Sequence, residues 1–319
     1  PGYVTDILTE EALQFLRHNS ARPFFLYLSH KAVHAEFLPA ERHKTLYSSE
    51  PLPYPKSMAN TEENYRGKPD WVRRQRNSWH GVDGMYDHQI GFDRFYRDYC
   101  RTLMALDESV GQVIDELDRL KWLNDTLIVY MGDNGFLFGE HGLIDKRCMY
   151  EPSIRAPMVV HCPDLFDAGR RPPGMALNLD VAPTFLEAAG VTTPPGMHGC
   201  SLLGLIRGDP GWRTEFLYEY FWERDYPQTP TVLGLRTDRY SYMHYHGVWD
   251  IDELYDIRKD PDQMENLLGD VRIATQGGRL HHHIRDPELK TLVGDLHGRM
   301  RKILTETGGR LEPKWTAAG

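Results

Sequence analysis

A helical stripe that runs into an apolar strand ending in Gly-Asp-Asn-Gly limits this chain more than any other feature. Leu103, Leu106, Val110, Val113, Leu117 and Leu120 recur at the spacing of one helix face, with Asp107, Asp115, Glu116 and Asp118 on the others. Asn124-Asp125 then leads into Thr126-Leu-Ile-Val-Tyr-Met131, an apolar run too short for a helix and rich in β-favouring residues. A strand buried on both faces reads this way, so the unit predicts an α/β fold with a mostly parallel central sheet flanked by helices. The same beat occurs earlier. Val4, Leu8, Ala12, Phe15 and Leu16 lie at helical spacing, and Phe24-Phe-Leu-Tyr-Leu28 is a short run of strand character. Residues 156–161 read as a further strand and 179–190 as a helix, with Asp180 near its start and Gly190 at its end.

From residue 206 the pattern changes. Residues 216–221, 232–237 and 240–245 read as short strands joined by turns, which predicts a small antiparallel sheet. Asp286-Pro287 opens a final helix whose apolar side carries Leu289, Leu292, Val293, Leu296, Met300 and Ile303. The expected organisation is therefore 1–205 as part of an α/β domain and 206–319 as a smaller α+β subdomain. His281-His-His283 reads as exposed linker, because side chains of successive residues diverge and do not converge on one ion.

The chain has 319 residues, 40% of them hydrophobic, enough for a sizeable core. No apolar run approaches the roughly 20 residues of a membrane span, and nothing reads as a signal peptide. A formal net charge of -9 argues against nucleic acid held on a broad basic surface. Cys100, Cys148, Cys162 and Cys200 are widely spaced, so neither a zinc site nor a disulfide framework is indicated.

The chemistry-bearing residues gather where apolar runs stop. Asp133 and Asn134 offer hard oxygen donors suited to Ca²⁺ or Mg²⁺, and Gly132 and Gly135 permit the tight turn beside them. The competing reading is an ordinary turn closing a strand. His141 and Lys146 follow in a Gly-punctuated loop, where cations beside a carboxylate-bound metal suggest a site for a sulfate- or phosphate-type oxyanion. His30, Lys31 and His34 follow the 24–28 run and share the rim with Asp133 if the sheet is parallel; either histidine also reads as a hydrogen-bonded structural residue. Between residues 47 and 91, Pro51, Pro53 and Pro55 discourage regular structure, and Arg73, Arg74, Arg76, Trp79 and His80 suit a sugar-binding cleft. An ordered excursion covering the core is the alternative.

Gly132-Asp133-Asn134-Gly135, then Gly139-Glu-His141-Gly, Lys146, Tyr150-Glu151 and Arg155-Ala-Pro157, resemble the sulfatase signature of the alkaline phosphatase superfamily. Phe24-Phe-Leu-Tyr-Leu-Ser-His-Lys31-Ala-Val-His34, residues 179–190, and Glu253-Leu-Tyr-Asp256 with Asp260-Pro-Asp are similar to further segments of that family. The resemblance implies an alkaline phosphatase-like fold, here incomplete, and hydrolysis of a sulfuric ester. It implies Asp133 and Asn134 as ligands of Ca²⁺, with Mg²⁺ as the alternative. It also implies His34 and Lys146 as the groups that hold sulfate oxygens, either one a candidate to protonate the leaving alkoxide. His30, Lys31, His141, Arg76, Trp79 and His80 are the substrate-binding candidates. Residues 29–34 and 78–82 are most similar to bacterial sulfatases acting on sulfated amino sugars, of the N-acetylglucosamine-6-sulfatase type, with aryl sulfates and algal polysaccharides as alternatives. A periplasmic or secreted location follows from the resemblance alone.

One departure matters. The family's nucleophile is a formylglycine made within Cys/Ser-x-Pro-x-Arg, and no cysteine here has that context: Cys162 precedes Pro163 directly, and Cys200 precedes Ser-Leu-Leu. The paired aspartates that complete the family's metal site are also not recognisable. The expectation is a chain carrying the C-terminal part of the catalytic domain, completed by an N-terminal portion, with purified 1–319 leaving an aryl sulfate unhydrolysed. Alternatives are a phosphate or phosphonate ester hydrolase of the same superfamily, a non-catalytic protein binding sulfated glycans, and a metal-independent interaction module.

Overall fold

The computed structural model describes residues 2–19, 22–246, 250–276 and 279–310. Its helices are α1 (Val4–His18), α2 (Glu62–Tyr65), α3 (Asp70–Gln75), α4 (Phe92–Arg119), α5 (Glu151–Ile154), α6 (Val181–Ala188), α7 (Leu202–Arg207) and α8 (Pro287–Glu306). Its strands are β1 (Ile128–Met131), β2 (Met158–His161), β3 (Glu215–Tyr220), β4 (Val232–Thr237), β5 (Tyr240–Tyr245), β6 (Glu253–Asp256), β7 (Arg272–Gln276) and β8 (Arg279–His283). They belong to two compact units. One draws on the chain up to Pro53, His88–Val129 and Val160–Ala168; the other draws on Tyr54–Asp87, Tyr130–Val159 and the chain from Gly169. The boundary expected near residue 206 falls inside α7.

In the first unit α1 lies against α4, and polar residues share the buried positions with apolar ones. Thr5, Thr9, Ala12, Leu13 and Leu16 are the buried residues of α1, while Val4 and Phe15 of the expected stripe are exposed. Thr9 Oγ1 sits 2.7 Å from the Thr5 carbonyl oxygen and 2.6 Å from Ser109 Oγ, and Arg17 pairs with Glu116 at 3.3 Å. On α4, Asp98, Thr102, Ser109 and Glu116 are buried, whereas Leu103, Leu106, Val110 and Val113 are only half-buried. Satisfied hydroxyls and ion pairs can occupy a helix contact, and hydropathy spacing does not reveal them.

The expected strand at 24–28 is a correction. The segment belongs to no ladder among the described residues, with Phe25 and Tyr27 exposed. Phe24 packs edge-on against Phe15 at 5.9 Å and tilted against Trp122 at 5.9 Å. A strand is defined by the partner it bonds to, and β-propensity supplies no partner. β1 and β2 form a two-stranded sheet, each starting two residues later than the apolar run that predicts it and ending at the same residue.

The second unit holds the antiparallel sheet β3-β4-β5-β6, with Leu235 opposite Tyr242 and Tyr242 opposite Leu254. The first three strands fall within one residue of where the sequence places them; β6, read only as a family signature, is one of the two edge strands, with β3 the other. Asp286 caps α8 by accepting from Glu288 N at 2.9 Å, and α8 buries Val293, Leu296, Met300 and Leu304 over the sheet. Each fully buried side chain of this kind contributes about 1.5–3 kcal/mol. On the other side, Tyr65, Trp71, Val72, Leu143, Met149, Tyr150 and Tyr255 join Val232 and Met243 in one cluster. Gly234 is required there, because a Cβ would stand 1.9 Å from Met149 Sδ. The proline-rich stretch is thus an ordered excursion: α2 and α3 interrupt it, and Trp71 of α3 packs on Tyr245 at 5.7 Å. The histidine run, expected as linker, ends β8.

Candidate functional site

β1 delivers Gly132, whose N–H donates to the Pro157 carbonyl at 3.1 Å, and the chain then turns through Asp133 and Asn134. Gly135 N–H donates to Ser153 O at 2.9 Å, and a Cβ at Gly135 would meet Pro152 O at 2.0 Å, so the turn closes only on glycine. Asp133 is exposed and its Oδ1 accepts from Asn134 N at 2.9 Å. Asn134 Nδ2 donates to Gly135 O at 2.7 Å, which fixes the amide. Asp133 Oδ2 and Asn134 Oδ1 accept no hydrogen bond among the described residues. Two hard oxygens without competing donors fit the chemistry of a Ca²⁺ or Mg²⁺ site and supply part of the six or so that such ions take. Among the described residues no group of three or more His, Cys, Asp or Glu is placed to hold a metal ion.

Asp145 shapes the turn that carries Lys146. Its buried carboxylate accepts from Lys146 N at 2.7 Å, Arg147 N at 3.3 Å and Arg147 Nη1 at 3.0 Å through Oδ1, and from Gln75 Nε2 at 2.9 Å through Oδ2. Thr229 Oγ1 stands 3.4 Å from Oδ2. Lys146 is half-buried, and its ammonium has no ion-pair partner among the described residues. Beside this turn, residues 80–82 run along 142–144: Ile144 N–H donates to His80 O at 2.7 Å and Val82 N–H to Gly142 O at 3.0 Å. His80 is half-buried, and burial above all pulls its pKa below the ordinary histidine value; Asp145 opposes that shift. Trp79 is exposed.

Two substrate-binding candidates prove to be built into the protein. His141 is 1% exposed, in the left-handed region at φ +56, with its N–H on Ser57 Oγ at 3.0 Å and its ring 4.1 Å from Tyr150. Burial first, then Lys68, hold it well below the ordinary histidine pKa. Arg76 is buried, with Nε to Asp83 Oδ2 at 2.6 Å, Nη2 to Asp83 Oδ1 at 3.1 Å, and Nη1 to Met58 O at 2.5 Å and Tyr65 Oη at 3.3 Å. These contacts give both residues structural employment. Behind His141, the fully buried Glu253 accepts from the hydroxyls of Tyr150, at 2.8 Å, Tyr245 and Tyr255, while Lys68 Nζ donates to Tyr255 Oη at 2.9 Å. Burial lowers the Lys68 pKa despite Glu253.

The first unit carries the other candidates. His30 Nε2 lies 3.0 Å from Ser109 Oγ, its Nδ1 is buried without a partner, and burial lowers its pKa. Lys31 and His34 are exposed. His34 N–H donates to Lys31 O at 3.0 Å, and its Nδ1 is 2.7 Å from Ala35 O, a pairing that makes Nδ1 the donor and leaves Nε2 to face outward chemistry. Sequence reasoning missed Asp145, Gln75, Arg147, Tyr226 and Thr229. An Asp directly before Lys-Arg was the available signal, since such a side chain commonly accepts from the next backbone N–H groups.

The family model for sulfatases matches residues 1–191, and the model for the C-terminal part of N-sulphoglucosamine sulphohydrolase matches 139–290. The chain is 30% identical to an N-acetylglucosamine-6-O-sulfatase of Bacteroides thetaiotaomicron, over 86% of this chain and 59% of that protein. It is also 30% identical to a multifunctional alkaline phosphatase superfamily protein of Trinickia caryophylli, over 83% of this chain and 55% of that one. The chain thus spans somewhat over half the length of these relatives. A protein solved in complex with its substrate, D-glucosamine-2-N,6-O-disulfate, superposes with a TM-score of 0.79 at 25% identity, over 96% of this chain and 70% of the other. The architecture is alkaline phosphatase-like α/β with a small antiparallel C-terminal sheet. No helix among the described residues is long and apolar enough to cross a membrane.

Proposed function

We propose that this chain, which belongs to the sulfatase family, supplies its share of a site that removes sulfate from a sulfated amino sugar. The observation that carries the reading is Lys146, a half-buried residue whose ammonium has no carboxylate partner among the described residues and whose backbone is held by the buried Asp145. An unpaired cation on an immobilised turn is a ready acceptor of a tetrahedral oxyanion. The similarity to an N-acetylglucosamine-6-O-sulfatase and to a protein bound to a sulfated glucosamine supports an amino-sugar substrate.

In this reading Lys146 and His34 each hold sulfate oxygens, and either protonates the departing sugar alkoxide, a poor leaving group without that proton. Asp133 Oδ2 and Asn134 Oδ1 contribute two ligands to a Ca²⁺ or Mg²⁺ ion. When bound, such an ion supplies Lewis-acid polarisation of the sulfate. His34 and the other three residues lie in different units, so these roles follow the motif match. By the same resemblance we place the protein in the periplasm or outside the cell, which fractionation tests.

Calorimetric titration of the 1–319 chain with sulfate, with and without Ca²⁺, tests the site. Lys146→Ala should abolish sulfate binding, and Asp133→Ala should remove its Ca²⁺ dependence. Sulfate binding that survives Lys146→Ala would sink the reading. The relative described as a multifunctional superfamily protein favours a second reading, hydrolysis of phosphate or phosphonate esters. Comparing sulfate and phosphate ester turnover by the full-length protein separates the two.

A further inference from the structure

Segment 145–151, which carries Lys146, is closed off from behind by a ring of hydrogen bonds through the core of the second unit. The Tyr150 hydroxyl donates to Glu253 Oε2 at 2.8 Å, and the Tyr255 hydroxyl donates to the same oxygen. Lys68 Nζ donates to Tyr255 Oη at 2.9 Å and to the Gln263 carbonyl oxygen at 2.7 Å. Gln263 Oε1 then accepts from Glu151 N at 2.6 Å. The ring thus leaves the segment at Tyr150 and returns to it at the next residue. Tyr150, Glu253, Tyr255 and Gln263 are fully buried, and Lys68 is buried with them.

Packing alone does not call for these groups. Apolar side chains of similar volume often match or better a buried Lys and Glu in stability. What a satisfied polar ring adds is one permitted geometry, since a shift of any member leaves a buried donor or charge unpaired. Its reach to Lys146 is short. Cys148 and Met149, between Tyr150 and the Lys146-Arg147 pair, are buried, and the Tyr150 ring lies 4.1 Å from that of His141. Arg147 is held between Asp145 at 3.0 Å and Glu223 at 3.4 Å, its guanidinium 3.5 Å from the Tyr226 ring centre. Glu253 also accepts from Tyr245, which lies on β5 outside the ring.

We propose that Glu253 and Lys68 are positioning residues for the Lys146 turn: acting through Tyr150 and Gln263, they fix the backbone from which Lys146 reaches its oxyanion. The C-terminal sheet, which supplies Glu253 and Tyr255 from β6, thereby belongs to the anion site without touching the anion. This rests on the sulfate reading of Lys146.

Three hydroxyl deletions in the 1–319 chain test it. They are read by calorimetry with inorganic sulfate and by hydrogen exchange at the Lys146 and Arg147 amides, which donate to Asp145 Oδ1. Tyr150→Phe and Tyr255→Phe open the ring and should each speed that exchange and weaken sulfate binding by about fivefold. Tyr245→Phe removes a comparable bond to Glu253 outside the ring. It should lower the urea midpoint similarly while leaving exchange and affinity within about twofold of the parent. A purely structural role would move all three variants together. Glu253→Gln, which puts an amide donor where the carboxylate only accepts, should exceed both ring variants; if circular dichroism shows it unfolded, the three hydroxyl deletions carry the test. Equal changes in all three, or parent-like exchange in either ring variant, overturns the proposal. Faster exchange with unchanged sulfate affinity also overturns it and leaves the sulfate reading intact. Absence of sulfate binding by the parent chain overturns the sulfate reading; the ring's hold on the turn is then kept by faster exchange in Tyr150→Phe and Tyr255→Phe alone, and overturned without it.

Discussion

The turn at 145–147 and the segment at 29–37 carry similar residues, cations just beyond an apolar run, yet they are held in opposite ways. At 145–147 a buried carboxylate gathers two backbone N–H groups, a guanidinium and an amide side chain. Lys146 therefore starts from a fixed backbone. At 29–37 the hydrogen bonds around the histidines are one turn bond under His34 and the contact of His30 with Ser109, and the packing anchor is Phe37, at the far end of the segment, against Phe95 at 4.7 Å and Tyr99 at 5.2 Å. His34 is exposed and is oriented mainly by its own neighbour, Ala35. The difference separates a group whose position the surrounding core enforces from one positioned only by local backbone, and it predicts how each will respond to mutation.

Asp145→Ala should have the largest effect. It leaves Arg147 and Gln75 without their buried acceptor, and breaking a buried pair costs about 3–5 kcal/mol. The urea midpoint should fall accordingly; a loss below about 1 kcal/mol would mean that the carboxylate does not organise the turn. Gly135→Ala comes next, at about 1–3 kcal/mol or more, because the new Cβ would collide with backbone oxygens, Pro152 O first. Unchanged stability would show that the β1 turn can open.

Acid sensitivity follows in size. His141 and His80 in one unit and His30 in the other all have folded pKa values depressed mainly by burial. Each is neutral when folded and takes up a proton more readily when unfolded, so its contribution is full above about pH 6.5 and is lost as pH falls through the folded values. His244 runs the other way: its pKa is raised by Asp252 against burial, so its contribution is full below about pH 6.5 and fades as pH rises through the folded value. With three depressed groups against one, chemical denaturation at pH 7.5 and pH 5 should show lower stability at the acid end. His141→Gln should flatten that slope more than His30→Gln, since His141 is the more deeply buried. The smallest stability effects belong to Lys146→Ala and His34→Ala, each within about 0.5 kcal/mol. A destabilisation well beyond that at His34 would erase the contrast between the two regions.

Much of this was legible in the sequence. Hydrophobic period, strand runs and the Asp286-Pro287 start located α4, β3, β4, β5 and α8; β4, β5 and α8 bury a side of their own sequence, whereas the α4 stripe is mostly half-buried and β3 has no fully buried residue. The position of Asp133-Asn134 at the end of a strand was equally plain. What the sequence concealed was partnership. The 24–28 run has strand propensity and no ladder, and α1 meets α4 through Thr9 and Ser109, which hydropathy scores as surface. His141 and Arg76 read as candidate ligand groups from residue type, and only the packing around Tyr150 and Asp83 shows their structural employment.

By itself the sequence determined the fold class, the family signature and the residue types that can meet a sulfate and a hard cation, since these depend on composition and order along the chain. The tertiary structure decided which of those groups remain unpaired. Lys146 and Lys68 are both lysines beyond the reach of sequence rules to tell apart, yet Lys68 is buried among tyrosine hydroxyls and Lys146 is left without an ion-pair partner among the described residues. Whether a polar group is satisfied depends on atoms brought from distant segments, Gln75 and Thr229 onto Asp145 above all, and that pairing exists only once the chain has folded.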